Sequence, residues 1–457
     1  MKNIYRLFAS ILCILVLTIN VKSQSSRSPQ SVALSGAYAT SARSWNTIGW
    51  NPANLGFSNN PSFSMGNTLI PFLVPINNVN VEFKNNALSL SKVHNTVFTG
   101  ADFENHKNKF LGYLPSSGWQ ISPSVSMNLL SMSFSNWAFS YSFETLNNIQ
   151  IPKGLFKFLL YGNELGEDNN INLDGLDLET QTVGKFTLYH GRKLNIENLN
   201  DLFGNKIDLK NYIQKLYVGG GIKFLQGGTY GNIENFTASL TTDTTQVDLT
   251  GKGVANVGTG GLGWAMDLGA TAQINEKMKG SLSLHNLFGS ISWGKIGPDL
   301  EIEDMKGKIF TRKYEINSTV KSSNFEDADS LLEEGVQTDT TLAKDNLTSN
   351  YPAYMNIGFE YQLKENLTLL STYRQYFSND LIFNSTPLLS IGSEYYPFSV
   401  LPLRAGLALG GHDNFRWSLG SGLELQNYCV NFGFAQIGGF FNHSRGFTFS
   451  FSSEIRF

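Results

Sequence analysis

The segment Gly258-Thr-Gly260-Gly-Leu-Gly263 has the glycine spacing with which a backbone turn cradles a dinucleotide pyrophosphate. That chemistry needs the turn to open a helix, and here it leads into residues that alternate as a strand does. The glycines therefore read as a flexible loop. The six histidines, His94, His106, His190, His285, His412 and His443, have no metal-ligand spacing. There is no P-loop, nucleophile elbow or zinc-protease motif. Glu360, Arg404, Arg416, Glu424, Glu454 and Arg456 each fall on the polar face of an alternating segment. Such groups could serve as acid–base dyads, but the simpler reading is solvated charges that line a lumen and pair across strands. The expectation is a protein that is not an enzyme, with no catalytic residue, metal or cofactor.

The segments that carry those charges have period-two alternation. In the last one, Phe447, Phe449, Phe451, Ile455 and Phe457 share a face, with Thr448, Ser450, Ser452, Glu454 and Arg456 opposite. The same pattern puts Phe415, Trp417 and Leu419 opposite Arg416 and Ser418, and Leu403, Ala405 and Leu407 opposite Arg404 and Gly406. It also puts Met355, Ile357 and Phe359 opposite Asn356, Gly358 and Glu360, and Met266, Leu268 and Ala270 opposite Asp267, Gly269 and Thr271. Their lengths suit a strand tilted across a bilayer, about 9–11 residues. A soluble sandwich would alternate too, but aromatics dominate these apolar faces and connection lengths alternate between short and long.

Composition agrees. Of 457 residues only 16 % are charged, while 33 Phe, 18 Tyr, 7 Trp and 44 Gly are present. Mean hydropathy is −0.15, and no apolar run reaches the ~18 residues of a spanning helix. The net charge of −3 leaves no basic face for nucleic acid. Lys2 and Arg6 precede the apolar run Leu7–Ile19, and Val21-Lys22-Ser23 follows it, which reads as a secretory signal over 1–23. Cys13 falls within that signal, so Cys429 stands alone in the exported chain and is expected in the wall.

Reading back from Phe457, the joins at 426–428, 396–400, 363–366 and 275–278 are short. Those at 438–445, 410–414, 378–387 and 298–350 are longer. Short periplasmic turns and long outer loops are the rule for outer-membrane barrels, which puts the acidic 298–350 insert outside the cell. Further strands are expected at 119–133, 134–145, 183–191, 214–226 and 232–247, with weaker ones within 61–91, where Pro71 and Pro75 each lack a ladder donor. Thr99–Leu114 and Pro152–Tyr161 read as short helices. The fold class is all-β: a transmembrane antiparallel β-barrel of 14 strands, or 16, with an N-terminal hatch segment and a few short helices. The divisions are 1–23 signal, 24–60 hatch and 61–457 barrel.

Gly36-Ala37-Tyr38-Ala39 followed by Trp50-Asn51-Pro52-Ala53-Asn54-Leu55 resembles the N-terminus of FadL-type long-chain fatty-acid transporters. It is also similar to PorV-type barrels of the type IX secretion system. The resemblance implies an outer-membrane barrel of a Bacteroidota branch in which this segment is a hatch within 14 strands. It implies passive transport of a hydrophobic small molecule, or, on the PorV side, non-enzymatic protein docking or secretion. The hatch residues carried over are Gly36, Tyr38, Trp50, Asn51, Pro52 and Ala53. Many relatives have an acidic pair before the motif where this chain has Ala42-Arg43-Ser44, so a gating role for those acids does not carry over. The terminal Phe457 resembles the insertion signal read by the barrel-assembly machinery. The partners implied are outer-membrane lipid, that machinery and a hydrophobic small molecule.

Overall fold

A computed structural model describes residues 28–67, 78–94, 103–161, 170–197, 211–242, 245–297, 299–302, 305–321, 336–342, 347–379, 385–411 and 414–457. The expected signal at 1–23, Pro71, Pro75, the cap at Thr99–Asp102, His412 and much of the 298–350 insert lie outside the described residues.

Fourteen antiparallel strands close on themselves. In chain order they are β1 (Phe63–Asn67 with Asn78–Lys84), β2 (Trp119–Ile121 with Ser124–Phe134), β3 (Trp137–Ile151), β4 (Asp177–Leu194), β5 (Lys215–Thr242), β6 (Gln246–Gln273) and β7 (Met278–Ser292). They continue as β8 (Thr348–Asn350 with Tyr354–Lys364), β9 (Leu367–Tyr376), β10 (Leu388–Phe398), β11 (Leu401–Gly410), β12 (Asn414–Glu424), β13 (Tyr428–Ile437) and β14 (Gly446–Arg456). Closure is between β14 and β1, from Ser64 opposite Arg456 to Lys84 opposite Gly446. Phe63 and Phe457 exchange backbone hydrogen bonds of 3.1 and 2.8 Å at its end.

The alternation decides which face meets which medium. Leu389, Ile391, Leu403, Leu407, Leu409 and Leu419 project outward and are exposed, while Ser390, Arg404, Ala408, Arg416 and Ser418 between them are buried inside. A closed ladder satisfies every wall amide, and an apolar outer face removes the need for water: the barrel belongs in the outer membrane. No described helix is long and apolar enough to cross a membrane.

The strand count settles at fourteen. The weak signals in 61–91 are two pieces of one strand, both paired to β14. The expected strands 214–226 and 232–247 join, as far as Thr242, into one strand, β5, whose Gly227 and Gly231 continue the ladder instead of ending it. Gly258–Gly263 is likewise within β6, not a flexible loop. Its purpose is steric: a β-carbon on Gly227, Gly258 or Gly261 would press on the Trp293 indole.

The short joins 135–136, 274–277, 365–366, 399–400 and 425–427 share the end at which β14 finishes. The join 195–214 at that end is an exception to the short-turn rule. At the opposite end β5 and β6 run far past the wall, and part of the insert extends them: Ile309–Lys321 pairs with β6, and Val336–Leu342 with Ile309–Lys321. The expected helices are found as Phe103–Tyr113 and Lys153–Tyr161 and pack on each other at the mouth, with Phe110 and Phe156 edge-on at 5.5 Å.

Leu407, 51 % exposed, tests the lipid face. Leu407→Arg is expected to lower the stability of the folded barrel by about 2–4 kcal/mol in urea titrations of vesicle-embedded protein. Ala405→Leu on the same face should leave it within about 0.5 kcal/mol.

Candidate functional site

Between Ser28 and Phe57 no residue is exposed, because this stretch lies inside the barrel. Its conformation is built from local signals. Ser28 caps the short helix Pro29–Ala33, accepting from the Ser31 amide at 3.3 Å, and Pro29 opens it. Gly36 follows at φ +93°, where a side chain would be strained and would also meet Ser390 Oγ at 3.2 Å. Asn51 caps the 3₁₀ turn Pro52–Gly56 by accepting from the Ala53 amide at 3.0 Å.

The segment touches the inner face of every strand. Helix Pro29–Ala33 rests on β11 to β14, Ser44–Thr47 on β1 to β3, and Pro52–Gly56 on β4 to β6. Ser283 of β7 donates to the Trp50 carbonyl at 2.8 Å, and Tyr354 of β8 to the Gly49 carbonyl at 2.9 Å. The Ala39 amide reaches Thr372 of β9 at 3.4 Å, and Ser390 of β10 donates to the Ser35 carbonyl at 2.8 Å.

Close backbone approach makes this possible. Gly191, Gly219, Gly269, Gly358, Gly392, Gly406, Gly420 and Gly433 form a ring at the level of the segment, several in direct register (Gly392 with Gly406, Gly420 with Gly433, Gly219 with Gly269). A β-carbon on any of them would lie closer than 3 Å to the luminal segment. Polar bonds fix its register. Asn51 donates to the Ala270 carbonyl (3.2 Å) and Thr271 (3.0 Å), and Asn54 to the carbonyls of Ala39 (3.0 Å) and Ala42 (3.2 Å). Tyr38 packs edge-on against Trp50 at 5.5 Å, and burial raises the pKa of its phenol, which stays neutral. Arg43 lies over Phe57 at 4.3 Å and Arg374 over Trp50 at 4.7 Å.

Of the wall charges read from alternation, Glu360, Arg404, Arg416, Glu424 and Glu454 point inward in separate groups, whereas Arg456 donates to the carbonyls of Gln426 and Leu425 at the rim. Arg404 gathers Glu394 (2.6 Å), Glu424 (2.7 Å) and Asn431 (2.7 Å). Arg416 meets Glu82 at 2.9 Å, Glu360 meets Lys279 at 2.6 Å across β7 and β8, and Glu454 is buried beside Asn46. Arg404 and Glu424 are the one pair of sequence candidates brought together. Phe457 is 64 % exposed and stacks on Phe63.

A buried cluster escaped sequence reading. Asp267 Oδ2 of β6 is 2.7 Å from Lys223 Nζ of β5 and 2.7 Å from His285 Nδ1 of β7; it also accepts from the Tyr189 hydroxyl of β4. Asp267 Oδ1 accepts from the Asn286 amide at 2.8 Å. The cluster reaches the luminal segment directly: His285 Nε2 is 2.9 Å from the Trp50 carbonyl oxygen, and the Gly49 amide donates to Tyr189 at 3.1 Å. A bulge in β7, with Asn286 and Phe288 at positive φ, turns His285 opposite Asp267. Asp267 already lay on the inner face by alternation; the bulge that delivers His285 had no sequence signal. Among the described residues no His/Cys/Asp/Glu group could hold a metal ion.

A family of unknown function, DUF5723, matches residues 67–435, and the chain belongs to it. No curated protein matches. Among solved structures, the chain is similar to the toluene transporter TodX of Pseudomonas putida, with 10 % identity over 95 % of this chain and 99 % of that one and a TM-score of 0.48. A Pseudomonas aeruginosa FadL homologue gives 11 % identity over 96 % and 100 % with a TM-score of 0.46. The CymD monoaromatic hydrocarbon channel gives 11 % over 94 % and 97 % with a TM-score of 0.47.

Removing Asp267 strands the buried Lys223 ammonium and takes away the partner of His285 Nδ1. Asp267→Ala is expected to destabilise the barrel by about 3–5 kcal/mol, and the joint change Asp267→Leu with Lys223→Met by clearly less, in urea unfolding of vesicle-embedded protein. Equal losses in both variants would contradict the pairing.

Proposed function

We propose that this DUF5723 member is a passive outer-membrane channel for a hydrophobic small molecule, held shut by the N-terminal segment, residues 24–60, as an internal hatch. One observation carries the reading: residues 28–57 lie buried within the barrel in contact with all fourteen strands. Docking of this segment on a ring of glycines is reversible, since its anchors are hydrogen bonds and contacts, with no covalent tie. Support for an apolar cargo comes from the mouth. Helix Lys153–Tyr161 has no buried residue although it reads Lys-Gly-Leu-Phe-Lys-Phe-Leu-Leu-Tyr, and Leu159 stands exposed. With Phe110, Trp119 and Phe156 it offers an apolar landing surface beside the opening.

The PorV-like alternative, docking of a protein, has its own observation. β5 and β6 are each 28 residues long, well beyond the ~9–11 that cross lipid, and the excess forms a sheet outside the barrel with the hairpin of the insert. The same overall reading takes residues 1–23 as an export signal and Phe457 as the insertion signal. Deleting Phe457 should lower the yield of heat-modifiable barrel in membranes without changing total synthesis.

Cysteine locking tests the hatch. A β-carbon on Gly392 would stand 3.3 Å from that of Ala37, close to the ~3.5–4.5 Å of a disulfide, and the one atom it meets below 3 Å is the flexible end of Leu34. In the Ala37→Cys/Gly392→Cys protein, uptake of an apolar fluorescent dye by intact cells is expected to stop on oxidation and return on reduction. Uptake that ignores the redox state would overturn the hatch. Uptake equal to that of cells lacking the barrel, in both states, would shift the function to the outer sheet.

A further inference from the structure

The wall grips the luminal segment unevenly. The Gly49 amide and carbonyl meet Tyr189 of β4 at 3.1 Å and Tyr354 of β8 at 2.9 Å. The Trp50 carbonyl takes Ser283 at 2.8 Å and His285 at 2.9 Å from β7, and its ring lies on Arg374 of β9. Asn51 and Asn54 both reach Thr271 of β6, at 3.0 and 2.8 Å. The same stretch is tied to itself. Asn54 donates to the carbonyls of Ala39 and Ala42, and Asn60 joins the Ser44 amide at 3.1 Å to the carbonyls of Asn54, Leu55 and Phe57. Tyr38 closes it, with its ring edge-on to Trp50 and its carbonyl accepting from the Ala42 amide at 3.1 Å. Tyr38–Asn60 is thus a knot, rooted on β4 and on β6 to β9.

Ser28–Ala37 is held differently. It has no charged residue. Among the described residues its hydrogen bonds to the wall involve two serines. Ser390 of β10 donates to the Ser35 carbonyl at 2.8 Å, and Ser418 of β12 donates to the Ala33 carbonyl and meets the Ser35 hydroxyl, both at 2.7 Å. The rest is contact with glycines: Leu34 on Gly392 and Gly406, Ala33 on Gly420, and Val32 on Gly433. Backbone strain sits here too, because Ser35 has φ +51°, in the left-handed region that disfavours any residue with a β-carbon. Val32, Ala33 and Leu34, all buried, supply the opposing hold, since leaving the wall bares them.

We propose that the segment opens as a hinged arm: Ser28–Ala37 swings off β10 to β14 about Tyr38, and Tyr38–Asn60 stays in place. This rests on the hatch reading and narrows the moving part to one end of it. Release of the arm breaks the bonds of two wall serines, whereas release of the knot would strip partners from His285, Tyr189 and Arg374. With 1–23 removed as an export signal, the arm has a free end and needs a single joint. The knot runs into the arm on one side and into β1 on the other, so it cannot leave without moving both. Swinging out also lets Ser35 relax to an ordinary backbone conformation. The gap it leaves borders Gly392, Gly406, Gly420 and Gly433, with the β4 to β9 side still covered by the knot.

Ala37 in the arm and Ala53 in the knot are both fully buried, so a difference in their reactivity reports motion. In vesicle-embedded full-length protein carrying Cys429→Ser, Ala37→Cys is expected to react with N-ethylmaleimide about tenfold faster than Ala53→Cys, or more. Ser390→Ala with Ser418→Ala, which removes the arm's bonds, should raise Ala37→Cys labelling and dye uptake by cells about tenfold and leave Ala53→Cys labelling within about twofold. Heat-modifiability reports folding, and Ala42→Cys, equally buried in the knot, replaces Ala53→Cys if that variant fails to assemble. Equal labelling of the two sites, with dye uptake still stopped by the Ala37→Cys/Gly392→Cys disulfide, would overturn the arm and leave a hatch that moves as one piece. Serine substitutions that leave Ala37→Cys labelling unchanged would overturn it as well. Dye entry with neither site labelled would sink the hatch itself, and the arm with it.

Discussion

Lipid offers no hydrogen-bond partner to the edge of a sheet, and that constraint organises the molecule. Fourteen strands can sit in a bilayer only because the last pairs with the first, Ser64 against Arg456 and Lys84 against Gly446. Once the ladder is closed, alternation leaves no choice about faces. Leu407 and Leu419 go to the hydrocarbon, and Arg404, Arg416 and Glu360 go inside, where they meet partners that repay their desolvation.

Closure creates a second problem, a lumen lined by polar groups, and different sectors of the wall solve it differently. On the β4 to β8 side, large rings and the Asp267–Lys223–His285 cluster fill the space, and glycines at 227, 258 and 261 make room for Trp293. Around the ring of Gly191, Gly219, Gly269, Gly406, Gly420 and Gly433, the wall gives up side chains so that a stretch of main chain can lie directly on it. The luminal segment thus behaves as the missing side chains of the wall. Its own carbonyls, at Ser35, Gly49 and Trp50, become the acceptors that strand hydroxyls and His285 need.

Much of this architecture was legible from residue order. The apolar–polar alternation of Phe447–Phe457 and of the strands before it gave the faces, and the joins between them gave the order in which neighbouring strands pair. What escaped has a common cause: it depends on register between strands distant in sequence. Gly406 and Gly420 were visible as small residues on an inner face, yet a ring of glycines exists only when β10 to β13 are aligned. Asp267 was visible on its face, whereas His285 arrives opposite it through a bulge that no local pattern announces. The glycine run 258–263 misled for the complementary reason: the group that needs the space, Trp293, lies a full strand away.

The pairing of Phe63 with Phe457 has a consequence for biogenesis. These residues are the two extremes of the cylinder in the chain, so contact order at the seam is as high as the chain allows, and loop-closure entropy makes their meeting late and slow. Until β14 is available, one edge of β1 has no partner. Keeping the barrel sequence extended until β14 is available leaves that edge less time to mispair, whatever passes through the finished pore.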